Sequence, residues 1–247
     1  MLVKLCQDGH TEDRDLVLVS HRGGKGFGSE NTLESLAGAL EYGVEMVETD
    51  VRMSADNVAL IHHSPFLGLR LISRMEMSEI REKAPDIPTL EEYLDLAARD
   101  CGLNLEIKNC EPALLARVLY RYNTALPVLV SSFDSDFLKE FGRTGIEVEI
   151  GLISQYELAD KRSVREALSC GATTLLPVSY SVRQDLMDAA CEAGMRVIAW
   201  TVNSTSTLLH LLAAGVDGVI TDTYRELQAF LTSKDIISVG AENAAAG

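Results

Sequence analysis

Two histidines, an arginine and three acids fall between positions 21 and 63: His21 with Arg22, then Glu30, then Glu48 and Asp50, then His63. Each lies near the end of an apolar run. Imidazoles exchange protons near neutral pH. The planar fork of an arginine suits a phosphate. Carboxylates two positions apart on a strand share one face and together hold a hard cation. The combination points to metal-assisted attack on a phosphate ester.

A third run, Asn104-Leu-Glu-Ile-Lys108, adds Glu106 and Lys108, again two apart. Three clustered carboxylates raise one another's pKa, and a divalent cation removes that repulsion. All-oxygen ligation selects Mg²⁺ or Ca²⁺ over zinc. Any one of these acids alone reads as surface in so acidic a chain. Three at successive strand ends beside Lys108 read as a site. His21 alone reads as a turn histidine before Gly23-Gly24, but Arg22 beside it favours phosphate chemistry. His62 and His63 alternate, so only one of them faces the chemistry. Trp200, the single tryptophan, is equally a packing residue and a substrate contact. Asn203 reads as a helix cap, and Asp217 and Asp222 as structural acids flanking a strand.

These residues need elements to position them. Short apolar runs at 16–20, 46–51, 103–107, 128–132, 147–152, 174–178, 196–202 and 218–221 read as strands buried on both faces. Between them, Leu33, Leu36, Ala37 and Leu40 repeat at helical spacing, as do Leu90, Tyr93, Leu94 and Ala97. Asn31-x-x-Glu34, Thr89-x-x-Glu92 and Ser181-x-x-Gln184 read as helix starts. Gly43, Gly102, Gly145, Gly171, Gly194 and Gly215 read as helix stops. Alternation through 247 residues predicts an α/β chain, a single (β/α)8 TIM barrel domain over 1–247. Chemistry in such a barrel sits at the C-terminal strand ends. A doubly wound sheet is the alternative, weakened because no Gly-x-Gly-x-x-Gly follows the first strand. Only 64–88 breaks the rhythm.

The net charge of −15 leaves no basic footprint for nucleic acid. No apolar run reaches the roughly 18 residues of a membrane span. The N-terminus lacks the apolar segment of a signal peptide, which predicts a cytoplasmic protein. Five cysteines without Cys-x-x-Cys spacing read as buried thiols in a reducing compartment, not a disulfide framework or zinc site.

The order of motifs resembles the glycerophosphodiester phosphodiesterase family. The motifs are His21-Arg22-Gly23, Glu30-Asn31-Thr32, Gly43 to Val51, His63, Glu106-Ile-Lys108, Ser131-Ser132-Phe133, Trp200 to Asn203, and Gly215 to Asp222. The resemblance implies a barrel that cleaves glycerophosphodiesters to glycerol 3-phosphate and an alcohol. It implies one divalent ion, Mg²⁺ or Ca²⁺, on Glu48, Asp50 and Glu106. It gives acid and base roles to His21 and His63, and phosphate contacts to Arg22 and Lys108. The family's second histidine aligns with His63, not His62. The implied partner is a small-molecule glycerophosphodiester. The oligomeric state stays open, a homo-oligomer included.

Two departures matter. The family usually has Asp after the second histidine, and here Ser64 follows. That favours, as one alternative, a barrel that binds phosphodiesters without turnover. The segment 65–74 is more apolar than the family's usual polar stretch. That favours, as another, lysophospholipase-D-like action on a more hydrophobic substrate.

Overall fold

Runs of Val, Leu and Ile form the strands because their alternate side chains find apolar partners on both faces. In the computed structural model of the chain, residues 2–7, 10–97, 101–122, 127–154 and 161–233 are described. The strands are β1 (Val17–Ser20), β2 (Met46–Met53), β3 (Gly102–Ile107), β4 (Val128–Ser132), β5 (Glu149–Ser154), β6 (Thr174–Pro177), β7 (Arg196–Ala199) and β8 (Gly218–Thr221). Each pairs in parallel with the next, and β8 pairs with β1, which closes the barrel. This is the expected (β/α)8 barrel.

The helices are α1 (Leu33–Tyr42), α2 (Leu90–Ala97), α3 (Pro112–Tyr122), α4 (Ser135–Gly142), α5 (Lys161–Ser169), α6 (Gln184–Glu192), α7 (Thr205–Ala214) and α8 (Tyr224–Thr232). Strand residues alternate between two cores. Leu16 and Leu18 face the helices, while Val17 and Val19 face the barrel interior. Val47 and Val51 likewise face outward, which turns Glu48 and Asp50 inward.

Several local expectations change. In α1 the buried residues are Ser35, Leu36 and Ala39, and Ala37 is exposed. Thr32, not Asn31, caps that helix, in a reciprocal box with Ser35. The helix turns its apolar face to fit the barrel while Asn31 serves another element. Thr89 and Glu92 do form the expected box before α2. Ser181 does not cap α6; its hydroxyl donates to the Val178 carbonyl, within a short 3₁₀ turn, Ser179–Ser181. Gly43 and Gly215 are left-handed helix caps. Gly102 is instead the first residue of β3, packed against neighbouring backbone.

Two features lie outside the alternation. An antiparallel hairpin, Leu2–Gln7 with His10–Asp15, precedes β1. After β2 the chain leaves the barrel for an excursion. Ala59–Ile61 pairs antiparallel with β2, Phe66–Leu67 pairs with Arg70–Leu71, and a helix, Met77–Lys83, follows. This excursion has its own small core of Leu60, Ile72, Met75, Met77, Ile80 and Ile87. Among the described residues, no helix is long and apolar enough to cross a membrane. No disulfide joins Cys101, Cys110, Cys170 or Cys191, and the Cys6 side chain lies outside the described set.

Candidate active site

Strand ends bring three acids to one mouth. Glu48 and Asp50 on β2 are 2% and 1% exposed, and Glu106 is their inward neighbour on β3. Their ligand oxygens all lie within 4.8 Å of one another. Burial pushes the Glu48 carboxyl well above the usual range, and the Asp50 and Glu106 charges add to it. Burial also raises Glu106, against the opposing charge of Lys108. Glu48 Oε2 accepts from the Arg22 backbone N–H at 2.8 Å, while Oε1 is buried without a partner. Three converging carboxylates, with one Glu48 oxygen buried and unpartnered, fit a hard divalent cation.

Neighbours hold these acids in place. Asn31 Nδ2 donates to Asp50 Oδ2 at 2.8 Å, and Lys108 Nζ lies 3.1 Å from Asp50 Oδ1. Lys108 also donates to Glu106. Asn31 Oδ1 accepts from Thr49 Oγ1 at 2.8 Å.

The loop after β1 supplies His21 and Arg22. Gly23 there has φ +73°, and its N–H donates to the Glu48 carbonyl at 2.6 Å. A Cβ on Gly23 would sit 3.0 Å from Asn31 Cα, so this crossing needs glycine. His21 Nδ1 lies 2.8 Å from Asp222 Oδ1, and its Nε2 lies 3.7 Å from Glu48 Oε2. The bond to His21 holds the Asp222 carboxyl far below its usual range, with Asn203 adding to it. Asn203 Nδ2 donates to Asp222 Oδ2 at 3.0 Å, and Lys25 Nζ lies 3.3 Å from Oδ1. Arg22 Nη2 meets His63 Nε2 at 3.0 Å. Burial lowers the His63 pKa, and the Arg22 and Lys108 charges act the same way. The His63 carbonyl is held by Arg52 at 2.6 and 3.0 Å.

A model of the glycerophosphoryl diester phosphodiesterase family matches residues 21–226, most of the chain and all of this site. The chain belongs to that family. A glycerophosphodiester phosphodiesterase of Caldanaerobacter subterraneus subsp. tengcongensis is 26% identical over 83% of this chain and 93% of its own length. A putative glycerophosphoryl diester phosphodiesterase of Silicibacter pomeroyi is similar in structure, with TM-score 0.78 and 26% identity over 88% of this chain and 93% of that one. An Oleispira antarctica phosphodiesterase, in complex with the product sn-glycerol-3-phosphate, has TM-score 0.77 and 26% identity over 87% and 96% of the two chains.

In this phosphodiesterase barrel, the sequence-predicted residues His21, Arg22, Glu48, Asp50, His63, Glu106 and Lys108 stand within one connected network. Trp200 stands at its edge. It lines a small hollow with His21, Glu48 and Glu106, its Nε1 donates to the Leu176 carbonyl at 2.8 Å, and its ring meets Phe133 edge-on. Packing and site roles therefore coincide there. Asp217 accepts from the Val197 N–H at 2.7 Å and is structural, as expected. Asp222 differs: it belongs to the site through His21. The sequence reads Asn31 only as a helix start and Glu30 only as one of the clustered acids, and neither reading gives the contacts that they make here. Ser64 Oγ accepts from the Phe66 N–H at 3.1 Å, so this side chain shapes the entry to the hairpin.

Proposed function

We propose that this barrel hydrolyses glycerophosphodiesters to glycerol 3-phosphate and an alcohol, with His21 and His63 as the proton-transfer pair. The observation that carries the reading is Arg22, its backbone on Glu48 and its guanidinium on His63, beside three converging acids of which Glu48 and Asp50 are buried. Glu48, Asp50 and Glu106 would hold one divalent ion, Mg²⁺ or Ca²⁺, which when bound supplies positive charge to the phosphate oxygens. Arg22 and Lys108 add fixed positive charge, with no reorganisation at the moment of reaction.

Asp222 accepts the Nδ1 proton of His21, which leaves the Nε2 lone pair on the acid side of the mouth. There His21 takes a proton from a substrate hydroxyl or a water as its oxygen bonds to phosphorus. The bond from phosphorus to the leaving alcohol breaks, and that oxygen takes up a proton that His63 relays from solvent. In the free site, His63 Nε2 accepts from Arg22, which keeps its ring turned inward. The reading extends one domain over the whole chain. The cysteine content, with Cys101 and Cys170 buried, supports a reducing, cytoplasmic setting.

The test is release of glycerol 3-phosphate from glycerophosphocholine or glycerophosphoethanolamine. It is run with Mg²⁺, with Ca²⁺ and with EDTA, beside His21→Ala and Glu48→Ala. Cation-dependent release lost in both variants supports the reading. A folded protein inert with either cation on both substrates refutes it.

One observation favours a second reading, action on a lysophospholipid-type substrate. The hairpin that begins just after His63 presents Phe66 at 48% and Leu69 at 100% exposure. Apolar side chains so exposed beside a mouth fit an acyl chain.

A further inference from the structure

In the Glu30-Asn31-Thr32 segment, Asn31 holds Asp50 and Thr32 caps α1. Glu30 has neither task. Both of its carboxylate oxygens accept from Arg22 Nη1, at 3.1 and 2.9 Å. Arg22 Nη2 lies on His63, and Arg22 Nε is buried without a partner. The guanidinium is thus gripped on one side by an acid and on another by an imidazole, with its third nitrogen uncommitted. The backbone arranges the grip: the Asn31 N–H donates to the Arg22 carbonyl at 2.8 Å, and Asn31 takes φ +59°. The loop therefore folds back onto the arginine that it follows.

A stabilising role explains Glu30 poorly. Its side chain is 42% exposed, and exposed ion pairs contribute little to folding. An arginine side chain, by contrast, loses much rotamer freedom when held in one pose. We infer that Glu30 is a positioning residue: it aims Arg22, so that the guanidinium meets a phosphate already oriented and stays against His63. The inference rests on Arg22 as the phosphate contact of the proposed reaction.

The test uses the full chain with Glu30→Ala and Glu30→Gln. It combines steady-state kinetics on glycerophosphocholine, calorimetric titration of inorganic phosphate, and thermal melts. In E30A, KM rises about tenfold and phosphate affinity falls by a similar factor, with kcat much less affected and Tm unchanged. E30Q, whose amide oxygen still accepts from Nη1, recovers part of the loss. Unchanged KM and phosphate affinity in E30A overturn the inference. So does a fall in kcat alone, or a loss of affinity that merely tracks a loss of Tm. Wild-type protein that binds no phosphate overturns it too. If the wild type binds phosphate but cleaves no glycerophosphodiester, the proposed function fails, and the titration of E30A against wild type still decides the role of Glu30.

Discussion

His21 Nδ1 and Asp222 Oδ1 lie 2.8 Å apart, across 201 positions of sequence and the seam where the barrel closes. The contact fixes which nitrogen of His21 carries the proton. Asp222→Ala removes that control and lowers kcat on the order of 10²-fold, with a smaller change in KM. Its folded-state pKa is depressed, so its stabilising contribution is present above the unfolded value of about 3.9 and is lost as pH falls through the folded value. Thermal melts therefore show a wild-type advantage at pH 7 that narrows below about pH 4. A gap that is constant across this range would refute the assignment.

The acid cluster makes an opposite prediction. Glu48 has a raised folded pKa, so its contribution favours folding below about pH 4.3 and is lost as pH rises through the folded value. In EDTA, rising pH should therefore cost stability, and a cation should restore it. Mg²⁺ or Ca²⁺ raises Tm more at pH 8 than at pH 5.5, because protons compete for the same oxygens. Glu48→Gln removes most of that difference. An equal Tm rise at both pH values, retained in E48Q, would count against the site.

Gly23 and Gly43 form a natural contrast. Both have positive φ, but a Cβ on Gly23 meets Asn31 backbone, while one on Gly43 meets nothing within 4 Å. Gly43→Ala should cost about 1 kcal/mol, by backbone strain alone. Gly23→Ala should cost about 2–3 kcal/mol and lower kcat as well, because its loop carries His21 and Arg22. Denaturant titration and kinetics on the two variants check this. Equal costs would show that the Asn31 contact is unimportant.

Ser64 stands where the family usually has Asp, and its hydroxyl holds the entry to the hairpin. An aspartate can accept the same N–H. Ser64→Asp is therefore expected to fold and to change turnover by less than about threefold. Activity that emerges only in S64D would instead favour a barrel that binds without turnover.

The exposed hairpin separates the two substrate readings. Leu69→Ser removes an apolar side chain that contacts solvent, so stability should move by less than about 0.5 kcal/mol. If the hairpin takes an acyl chain, KM for a lysophospholipid rises in L69S while turnover of glycerophosphocholine holds. Equal kinetics on the lysophospholipid in both proteins would discard that use of the hairpin.

Much of this was legible in the residues. Outward Val47 and Val51 leave Glu48 and Asp50 no direction but inward, and the same period of two separates His63 from His62. The βα alternation carried the fold in the same way. Local exceptions followed packing: Ala37 is exposed because α1 turns Ser35, Leu36 and Ala39 inward. The excursion after β2 shows in the sequence only as a break in rhythm, because its short strands and small core have no period to read.

Near neighbours along the chain set the strand faces, the barrel, and the pairs Glu48 with Asp50 and Glu106 with Lys108. Their partners come only with folding: Asp222 for His21, Asn31 for Asp50, and Glu30 with His63 for Arg22. The difference is one of range. A side chain's direction on a strand follows from the residues beside it, whereas a 2.8 Å contact between residues 201 positions apart exists only once the barrel has closed.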